Sequence, residues 1–571
     1  MTFIKKTFPI TQWLPSYKKS QLNGDVFAGI TVGIMLIPQG MAYALIAGLP
    51  PVYGLYASIV PQVIYALFGT SRQLSVGPVA MDSLLVAAGV SVLATEGSDA
   101  YIGFAILLAF FMGLFQLLLG VFKMGFITNL LSKPVISGFT SAAALIIGLN
   151  QLKYLLGTNI EKSNNVFEIL WNAAQKVDET HLLTLLIGIG GFVIIKAAKK
   201  LHKNIPGALV AVIFGTGLVY LFNLHEAGVS IVKAIPEGLP PFQLPNFDLG
   251  KMGELIPLAL TISVVAFMEA YSVAKAIEAK STGYKVVANQ ELIGLGAANL
   301  IGSLFQSYPV TGGFSRSAVN HQAGAVTPLA SIISAALVAI TLLFLTPLFY
   351  YLPQAILASI IMVAIASLMD IGYARKLWKE NKMEFGLLAA TFLVTLNFSM
   401  VPGIVTGVIF SILILLYRSA YPHIAQLGRL KGQNEFRNIH RFKDLERWAD
   451  KLIVRVDAPL SFINIQFIKE YIEENLDKLP EVKYILLDAS AISQIDASAV
   501  QGISDLIQGI KEREVTLVLT DVVGPVRDTL FKTGLLDEIG TENIFLTLNN
   551  AIAGLNEHDR LTPNELALQH N

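Results

Sequence analysis

The chain has 571 residues, 54% of them hydrophobic and only 14% charged. Soluble globular proteins carry about 25% charged residues, so the composition excludes an ordinary water-soluble enzyme and indicates an integral membrane protein. Lys+Arg and Asp+Glu are both 41, which speaks against a nucleic-acid partner, and the absence of cysteine removes disulfides, thiolate metal sites, iron–sulfur clusters and cysteine nucleophiles together.

Residues 1–23 are polar and basic. The first apolar run is too long for a signal-peptide core and lacks a small-residue cleavage site, so no segment is expected to be removed. Apolar segments then fall at about 25–47, 52–69, 75–94, 101–122, 132–155, 182–198, 206–222, 254–277, 288–305, 308–320, 327–349, 354–370, 384–399 and 401–417, fourteen in all. The third and tenth are weak, being short or interrupted by Gly, Pro and polar residues. An even count puts both ends on one side. Basic residues cluster at the N-terminus (Lys5, Lys6, Lys18, Lys19) and in alternate loops, from Arg72 through Lys123 and Lys133 to Arg375, Lys376, Lys379 and Lys382. The loops 48–51, 95–100, 349–353 and 400–403 carry none. This bias predicts that both termini are cytoplasmic.

After about residue 420 charge is dense, and no apolar run reaches the ~20 residues needed to span a bilayer. The expected division is a cytoplasmic N-terminal segment (1–23), a transmembrane domain (24–420), a linker (421–434), a soluble domain (435–557) and a tail (558–571). Leu452–Val456, Tyr484–Leu487 and Val515–Leu519 read as buried strands, and Phe467–Leu479 and Ala499–Lys511 as amphipathic helices. Such alternation predicts a small α/β layer domain.

The fourteen segments divide seven and seven, and the weak ones are third in each half. They open with similar strings, Val76-Gly77-Pro78-Val79-Ala80 and Ser307-Tyr308-Pro309-Val310-Thr311. Gly/Pro-interrupted segments at corresponding positions of two halves point to a transporter's binding site, and an odd number per half makes the repeats inverted. If segments 3 and 10 begin as half-helices, their free N–H groups and positive dipole ends point into the protein. Pro78 and Pro309 are expected in the first helical turns, while Gly77, Gly312 and Gly313 let a ligand approach the backbone.

Few ionisable groups lie deep in these segments, and burying one costs at least ~2.5–3.5 kcal/mol. Arg316 follows Gly312-Gly313, Glu269 sits in the middle of segment 8, and Asp82 lies within segment 3. Arg316 with two half-helix N-termini makes a donor-only, positive pocket suited to a small anion; the alternative is a structural ion pair with Glu269 or Asp82. Glu269 is placed to carry a proton, or else only packs. Asp82 could do the same or pair across the site. Asp25, Glu291 and Asp370 lie near segment ends and are assigned structural roles. In segment 1, Pro38 is expected to break the helix, and Gln39 and Tyr43 share one face, lining the site or bonding between helices. There is no GxxxxGK[ST] string, and the eight His are scattered without ligand spacing, so no metal and no cofactor beyond a coupling proton is expected.

Residues 50–72, PPVYGLYASIVPQVIYALFGTSR, resemble the signature of the SulP anion transporters, the sulfate permeases, whose animal relatives include chloride/bicarbonate exchangers and prestin. Residues 307–320, SYPVTGGFSRSAVN, and 290–304, QELIGLGAANLIGSL, resemble the sulfate-transporting branch. Ile485-Leu486-Leu487-Asp488 and Ile495-Asp496-Ala497-Ser498-Ala499 resemble a STAS domain. The resemblance implies an all-α polytopic domain of seven-plus-seven inverted repeats, with a core (segments 1–4 and 8–11), a gate (5–7 and 12–14) and two half-helices, followed by a cytoplasmic STAS domain. It implies anion binding by Gln39 and Tyr43 on segment 1, Val79 and Ala80 at half-helix 3, and the Ser315-Arg316 pair on segment 10, with Phe314 grouped beside them. Glu269 matches the acidic position of proton-coupled plant-type sulfate transporters. Asp82 departs from the family pattern, where that position is usually uncharged. Ser498 matches the serine phosphorylated in anti-sigma-factor antagonists, although the motif is Asp-Ala-Ser-Ala instead of Asp-Ser-Ser-Gly; the alternative is a helix N-cap role.

The expected function is therefore non-enzymatic: proton-coupled symport of sulfate or a related small anion across the cytoplasmic membrane, by an elevator movement in a lipid-embedded homodimer. A cytoplasmic protein at the STAS domain is a candidate partner. The rivals are a sodium-coupled or exchanging bicarbonate transporter, an uncoupled anion channel, and a membrane sensor signalling through the STAS domain.

Overall fold

The structure, a computed structural model, describes residues 8–126, 132–160, 166–201, 206–245, 250–281, 283–366, 369–398 and 400–557. The chain divides into two compact units, Met1–Ser411 and Ile412–Asn571.

In the first unit each expected apolar segment is helical in whole or in part. The first half contains α1 (Lys19–Ile46), α2 (Pro51–Tyr56) with α3 (Val60–Phe68), α4 (Ala80–Val90), α5 (Asp99–Val121), α6 (Lys133–Asn150), α7 (Leu182–Leu201) and α8 (Gly207–Leu221). The second contains α9 (Met252–Glu278), α10 (Ala288–Ser303), α11 (Phe314–Gln322), α12 (Leu329–Ile340), α13 (Gln354–Ala366), the short amphipathic α14 (Ile371–Glu380), α15 (Lys382–Asn397) and the start of α16 (Met400–Ala420), which crosses the division between the units. Among the described residues, eight helices are long and apolar enough to cross a membrane; the chain is a multi-pass membrane protein.

The packing carries the repeat. α1 packs on α12, and its counterpart α9 packs on α5; α10 packs on α5 as α3 packs on α12; α6 packs on α15 as α13 packs on α7. Every one of these pairs turns into another when the halves are exchanged, as an inverted repeat requires. The contacts are close because small residues line them. A Cβ on Gly113 of α5 would lie 2.3 Å from the Leu300 nitrogen of α10, and one on Gly296 would lie 2.5 Å from the Leu117 nitrogen.

The halves meet in two short strands, β1 (Val76–Gly77) and β2 (Thr311–Gly312), paired antiparallel with Val76 opposite Gly312 and Gly77 opposite Thr311. Non-helical backbone at membrane depth must have its polar groups satisfied by protein. The ladder does this, extended by Gly313 N–H donating to the Ser75 carbonyl at 3.0 Å and by Asn299, whose amide donates to the Val310 carbonyl and accepts from its N–H, both at 2.9 Å. These strands correct the expectation for the prolines. Pro78 lies between β1 and α4, and Pro309 precedes β2, because proline and its preceding residue favour the extended backbone of a strand entry. Pro38 likewise does not break its helix: α1 runs through it, giving up one hydrogen bond within a well-packed 28-residue helix.

The second unit builds a sheet in the order β4-β3-β6-β7-β8-β9, with β5 on β3. The strands are β3 (Ile424–Leu430), β4 (Phe436–Asn438), β5 (Leu445–Glu446), β6 (Lys451–Val456), β7 (Tyr484–Asp488), β8 (Thr516–Thr520) and β9 (Ile544–Phe545). β6 to β9 are parallel, and β3 is antiparallel to β6. α17 (Ile465–Lys478) and α18 (Ala497–Lys511) bury Ile468, Ile472, Ile503 and Leu506 against Leu452, Val454, Ile485 and Leu487. The three expected strands and two expected helices are found, shifted by a residue or two. The stretch 421–434, expected as a linker, instead carries β3. Its alternating Ile424, Gln426 and Gly428 and its polar neighbours masked a strand that only its partner β6 makes evident.

A candidate anion site between two half-helices

α4 and α11 are too short to span a bilayer and begin beside the β1–β2 ladder. Their N-cap residues are Val79 and Gly313, and no side chain caps either helix. Both caps are buried, so the first-turn N–H groups of two helices are offered to the protein interior.

Arg316, third residue of α11, is 2% exposed. Its Nη1 donates to the Pro78 carbonyl at 2.7 Å, just ahead of α4. Nε and Nη2 are buried without a partner. Backbone closes around the guanidinium: a Cβ on Gly313 would lie 2.8 Å from its Cζ, and one on Gly77 would lie 3.4 Å from Nη2. The ion pair with Glu269 or Asp82 that would give Arg316 a purely structural role is not formed. Tyr43, Tyr308 and Glu269 lie within its electrostatic reach. A buried guanidinium with two unspent donor nitrogens, between two uncapped helix N-termini, has the chemistry to hold an acceptor-only, negatively charged ligand.

Gln39 and Tyr43 lie one turn apart on α1, both buried, and Gln39 Oε1 has no partner, so the interhelical bond weighed for that oxygen is absent. Val79 and Ala80 are buried at the start of α4. Phe314 and Ser315 are exposed at the start of α11. Glu269, on α9, is half-buried with Oε2 enclosed and unpartnered. It lines a cavity of about 240 Å³ together with Met81, Phe314, Val135, Phe139 and Ile404. Asp82, third residue of α4, is fully enclosed, and neither of its oxygens has a partner.

The three acids near segment ends, Asp25 and Glu291 buried and Asp370 exposed, have structural partners. Asp25 accepts from Val326 N–H (2.7 Å), Thr327 N–H (3.0 Å) and the Thr327 hydroxyl (2.6 Å). Glu291 accepts from the Tyr65 hydroxyl, Thr70 and Ser71. Asp370 caps α14 through Tyr373 N–H. Sequence reasoning passed over two residues here: Tyr308, whose hydroxyl lies 3.1 Å from Ser83 Oγ, and Asn299, which pairs with Val310. A lone amide in an apolar helix was the available signal for Asn299. In the second unit Ser498 is exposed in the first turn of α18. It is not the cap: Asp496 is, accepting from Ala499 N–H at 2.8 Å. Among the described residues no group of three or more His, Asp or Glu is gathered as a metal site would require.

Residues 22–391 match the sulfate permease family, and residues 443–551 match the STAS domain. The chain is 38% identical over 570 residues to "Sulfate transporter 4.1, chloroplastic" of Arabidopsis thaliana, covering 96% of this chain and 82% of that one. It is 34% identical over 568 residues to "High affinity sulfate transporter 2" of Stylosanthes hamata, covering 96% and 86%. Among solved structures, SLC26A9 superposes with a TM-score of 0.89 at 23% identity, over 100% of this chain and 95% of that one. The transmembrane domain of the cyanobacterium bicarbonate transporter BicA gives 0.60 at 24% identity, over 69% and 98%. The chain thus belongs to the sulfate permease family and carries a C-terminal STAS domain.

Proposed function

We propose that the protein carries sulfate inward together with protons. The observation that carries this reading is the buried Arg316 guanidinium, with Nε and Nη2 unpartnered between two uncapped half-helix N-termini. Sulfate has four acceptor oxygens, no donor and two negative charges, which suits a pocket made only of donors. Arg316 and the N–H groups that open α4 and α11, at Ala80 and at Phe314 and Ser315, hold the anion; Val79 shapes the floor, and Gln39 and Tyr43 close the side formed by α1. The plant relatives named as sulfate transporters support the choice of anion.

Glu269 is the proton carrier. An ionised carboxylate beside a dianion repels it, so sulfate binding and proton binding at Glu269 favour one another. The movement is an elevator: α1–α5 and α9–α12 carry the site against α6–α8, α13, α15 and α16. The cavity beside Glu269 is lined by Met81 and Phe314 of the first group and by Val135, Phe139 and Ile404 of the second, and we take it as the seam between those groups. The protein works as a homodimer in the cytoplasmic membrane, with both termini and the STAS domain on the cytoplasmic side. Ser498 is a phosphorylation site through which a cytoplasmic partner acts.

The test is radiolabelled sulfate uptake into proteoliposomes, with and without an inward proton gradient, for the parent and for Glu269→Gln. The parent takes up sulfate only with the gradient, and the variant loses that dependence. Uptake driven by sodium instead, or a Glu269→Gln protein still driven by protons, refutes the coupling. No sulfate flux under any gradient refutes the substrate.

A further inference from the structure

By the grouping proposed above, the chain crosses between the two groups of helices from α5 to α6, from α8 to α9 and from α12 to α13. The last two of these crossings meet. Beyond α12 the chain makes a π-helical turn (Thr341–Leu345) and a 3₁₀ turn (Thr346–Phe349). Residues 230–238, which follow α8, are strapped to this stretch. Val232 N–H donates to the Leu352 carbonyl (2.9 Å), Lys233 N–H to the Tyr350 carbonyl (3.1 Å) and Gly238 N–H to the Leu342 carbonyl (3.1 Å), while Gln354 N–H donates to the Ser230 carbonyl (3.0 Å). Between these ties lies a cavity of about 400 Å³, with Ala234, Ile235 and Glu237 on the strap and Thr346, Tyr350 and Tyr351 facing them. That volume falls within the ~300–1,000 Å³ of small-ligand sites.

The chemistry of this cavity is opposite to that of the anion site. Glu237 is the charged group in its lining; no Lys, Arg or His lines it, and Lys233, farther along the strap, is exposed and not part of the wall. The rings of Tyr350 and Tyr351 stand 4.9 Å apart at 71° and form an aromatic corner. Tyr351 is held there by the rings of Tyr220 (5.3 Å) and His225 (5.2 Å). Thr346 is 1% exposed and its Oγ1 has no partner. The Leu342 carbonyl, one turn back, is the usual acceptor for such a hydroxyl in a helix, but it accepts from Gly238 N–H instead. A carboxylate, two phenol rings and an unspent hydroxyl suit an organic ammonium ion, whereas a bare metal cation takes six or more oxygens.

We infer that this cavity binds a small alkylammonium cation of the choline type, and that the bound cation slows transport by tying together two crossings between the groups. The ammonium lies in the corner of Tyr350 and Tyr351 against the Glu237 carboxylate, and Thr346 Oγ1 meets the hydroxyl or N–H of the ligand. The restraint on transport rests on the elevator movement proposed above; the binding does not.

The experiment is calorimetric titration of choline into the purified full chain, with sodium at equal ionic strength as the control. Choline binds and sodium does not. Tyr350→Leu weakens choline binding about five- to thirtyfold, the worth of one aromatic face toward a cation, and Glu237→Gln weakens it at least as much. Both side chains are exposed at the cavity mouth, so one variant suffices if the other fails to fold. Repeating the titration in phosphatidylglycerol vesicles with and without phosphatidylcholine separates two sources of the same chemistry. Weaker binding beside the choline lipid assigns the site to a lipid headgroup and equal binding to a soluble cation, and either result supports the site. In proteoliposomes, choline on both sides slows radiolabelled sulfate uptake by the parent and not by Glu237→Gln. Absence of choline binding, or binding unchanged in both variants, overturns the site. Parent uptake unaffected by saturating choline overturns the restraint. If sulfate does not move even without choline, it is the transport reading that fails, and the titration still decides the site.

Discussion

Gly313→Ala isolates the guanidinium from the fold. Gly313 has φ −78° and ψ 124°, values any L-residue adopts, so alanine adds no backbone strain. Its Cβ, however, would lie 2.8 Å from Arg316 Cζ, against an ordinary carbon–carbon contact of about 3.5–4.0 Å. The guanidinium must retreat by about 0.7–1.2 Å, and it is tethered to Pro78 by a 2.7 Å hydrogen bond. A displacement of that size loses roughly one charge-assisted hydrogen bond to the ligand, about 1.5–3 kcal/mol, or about 10- to 150-fold in affinity. Stability should change little, since the gain of about 0.4–1 kcal/mol from restricting the unfolded chain is offset by the displacement of the guanidinium from its place against Gly313. Gly77→Ala is the internal control, because its Cβ would meet Nη2 at an ordinary 3.4 Å; its effect should stay under about threefold, below ~0.7 kcal/mol. The assay is equilibrium sulfate binding to purified protein, with a thermal melt of each variant. Parent-like binding by Gly313→Ala, or a larger loss in Gly77→Ala than in Gly313→Ala, refutes the placement of the anion at Arg316.

Glu291→Gln keeps the side chain's shape but sets an amide donor among the donors of Tyr65, Thr70 and Ser71; a loss of about 2–4 kcal/mol is expected, read as a lowered melting temperature, and an unchanged melt contradicts it. Asp82→Asn should retain proton-driven uptake and parent stability within about 1 kcal/mol, since neither carboxyl oxygen has a bond to lose; loss of proton dependence would move the coupling role from Glu269 to Asp82. In the soluble unit, burial first and the charge of Asp488 next raise the pKa of the Asp521 carboxyl above its usual value. A carboxyl that binds its proton more tightly when folded stabilises the fold below that raised pKa and loses this contribution as pH climbs through it. Asp521→Asn, at a positive φ of 55° that asparagine accepts, should therefore raise STAS stability near neutral pH and abolish the trend, as measured by hydrogen exchange of β8 between pH 4 and 7.

The membrane architecture was legible because a bilayer imposes length and polarity on every segment: the runs around α1, α5 and α9 leave no other reading. The half-helices were legible for the same reason inverted, since segments 3 and 10 are too short and too polar to cross. What joins them was not. β1 and β2 are two residues each, below any periodicity, and each helps satisfy the other's buried backbone. Pro78 and Pro309 were therefore placed one element too late. β3 escaped for a related reason, since a strand with half-exposed polar positions is defined by its neighbour more than by its own pattern. Among the candidate site residues, Arg316 and Glu269 stood out by the cost of burying charge and Gln39 and Tyr43 by sharing a face beside Pro38, whereas Asn299 and Tyr308 were passed over because each stands as a single polar group without such a neighbour.

The two halves place opposite charges at matching positions. Asp82 is the third residue of α4 and Arg316 the third of α11. At the positive end of a helix an acid is stabilising, and a base is disfavoured by about 0.3–1 kcal/mol. Asp82 therefore sits where helix electrostatics would put an acid, although it makes no capping bond, and Arg316 sits where they would not. Burial worsens the case for Arg316, whose one bond to the Pro78 carbonyl leaves two donors idle. A fold optimised for its own stability would not keep a buried cation against two helix dipoles of the same sign. A negative ligand standing between them would make the arrangement favourable, which is why the residue that fits the fold least well is the one on which the proposed anion site rests.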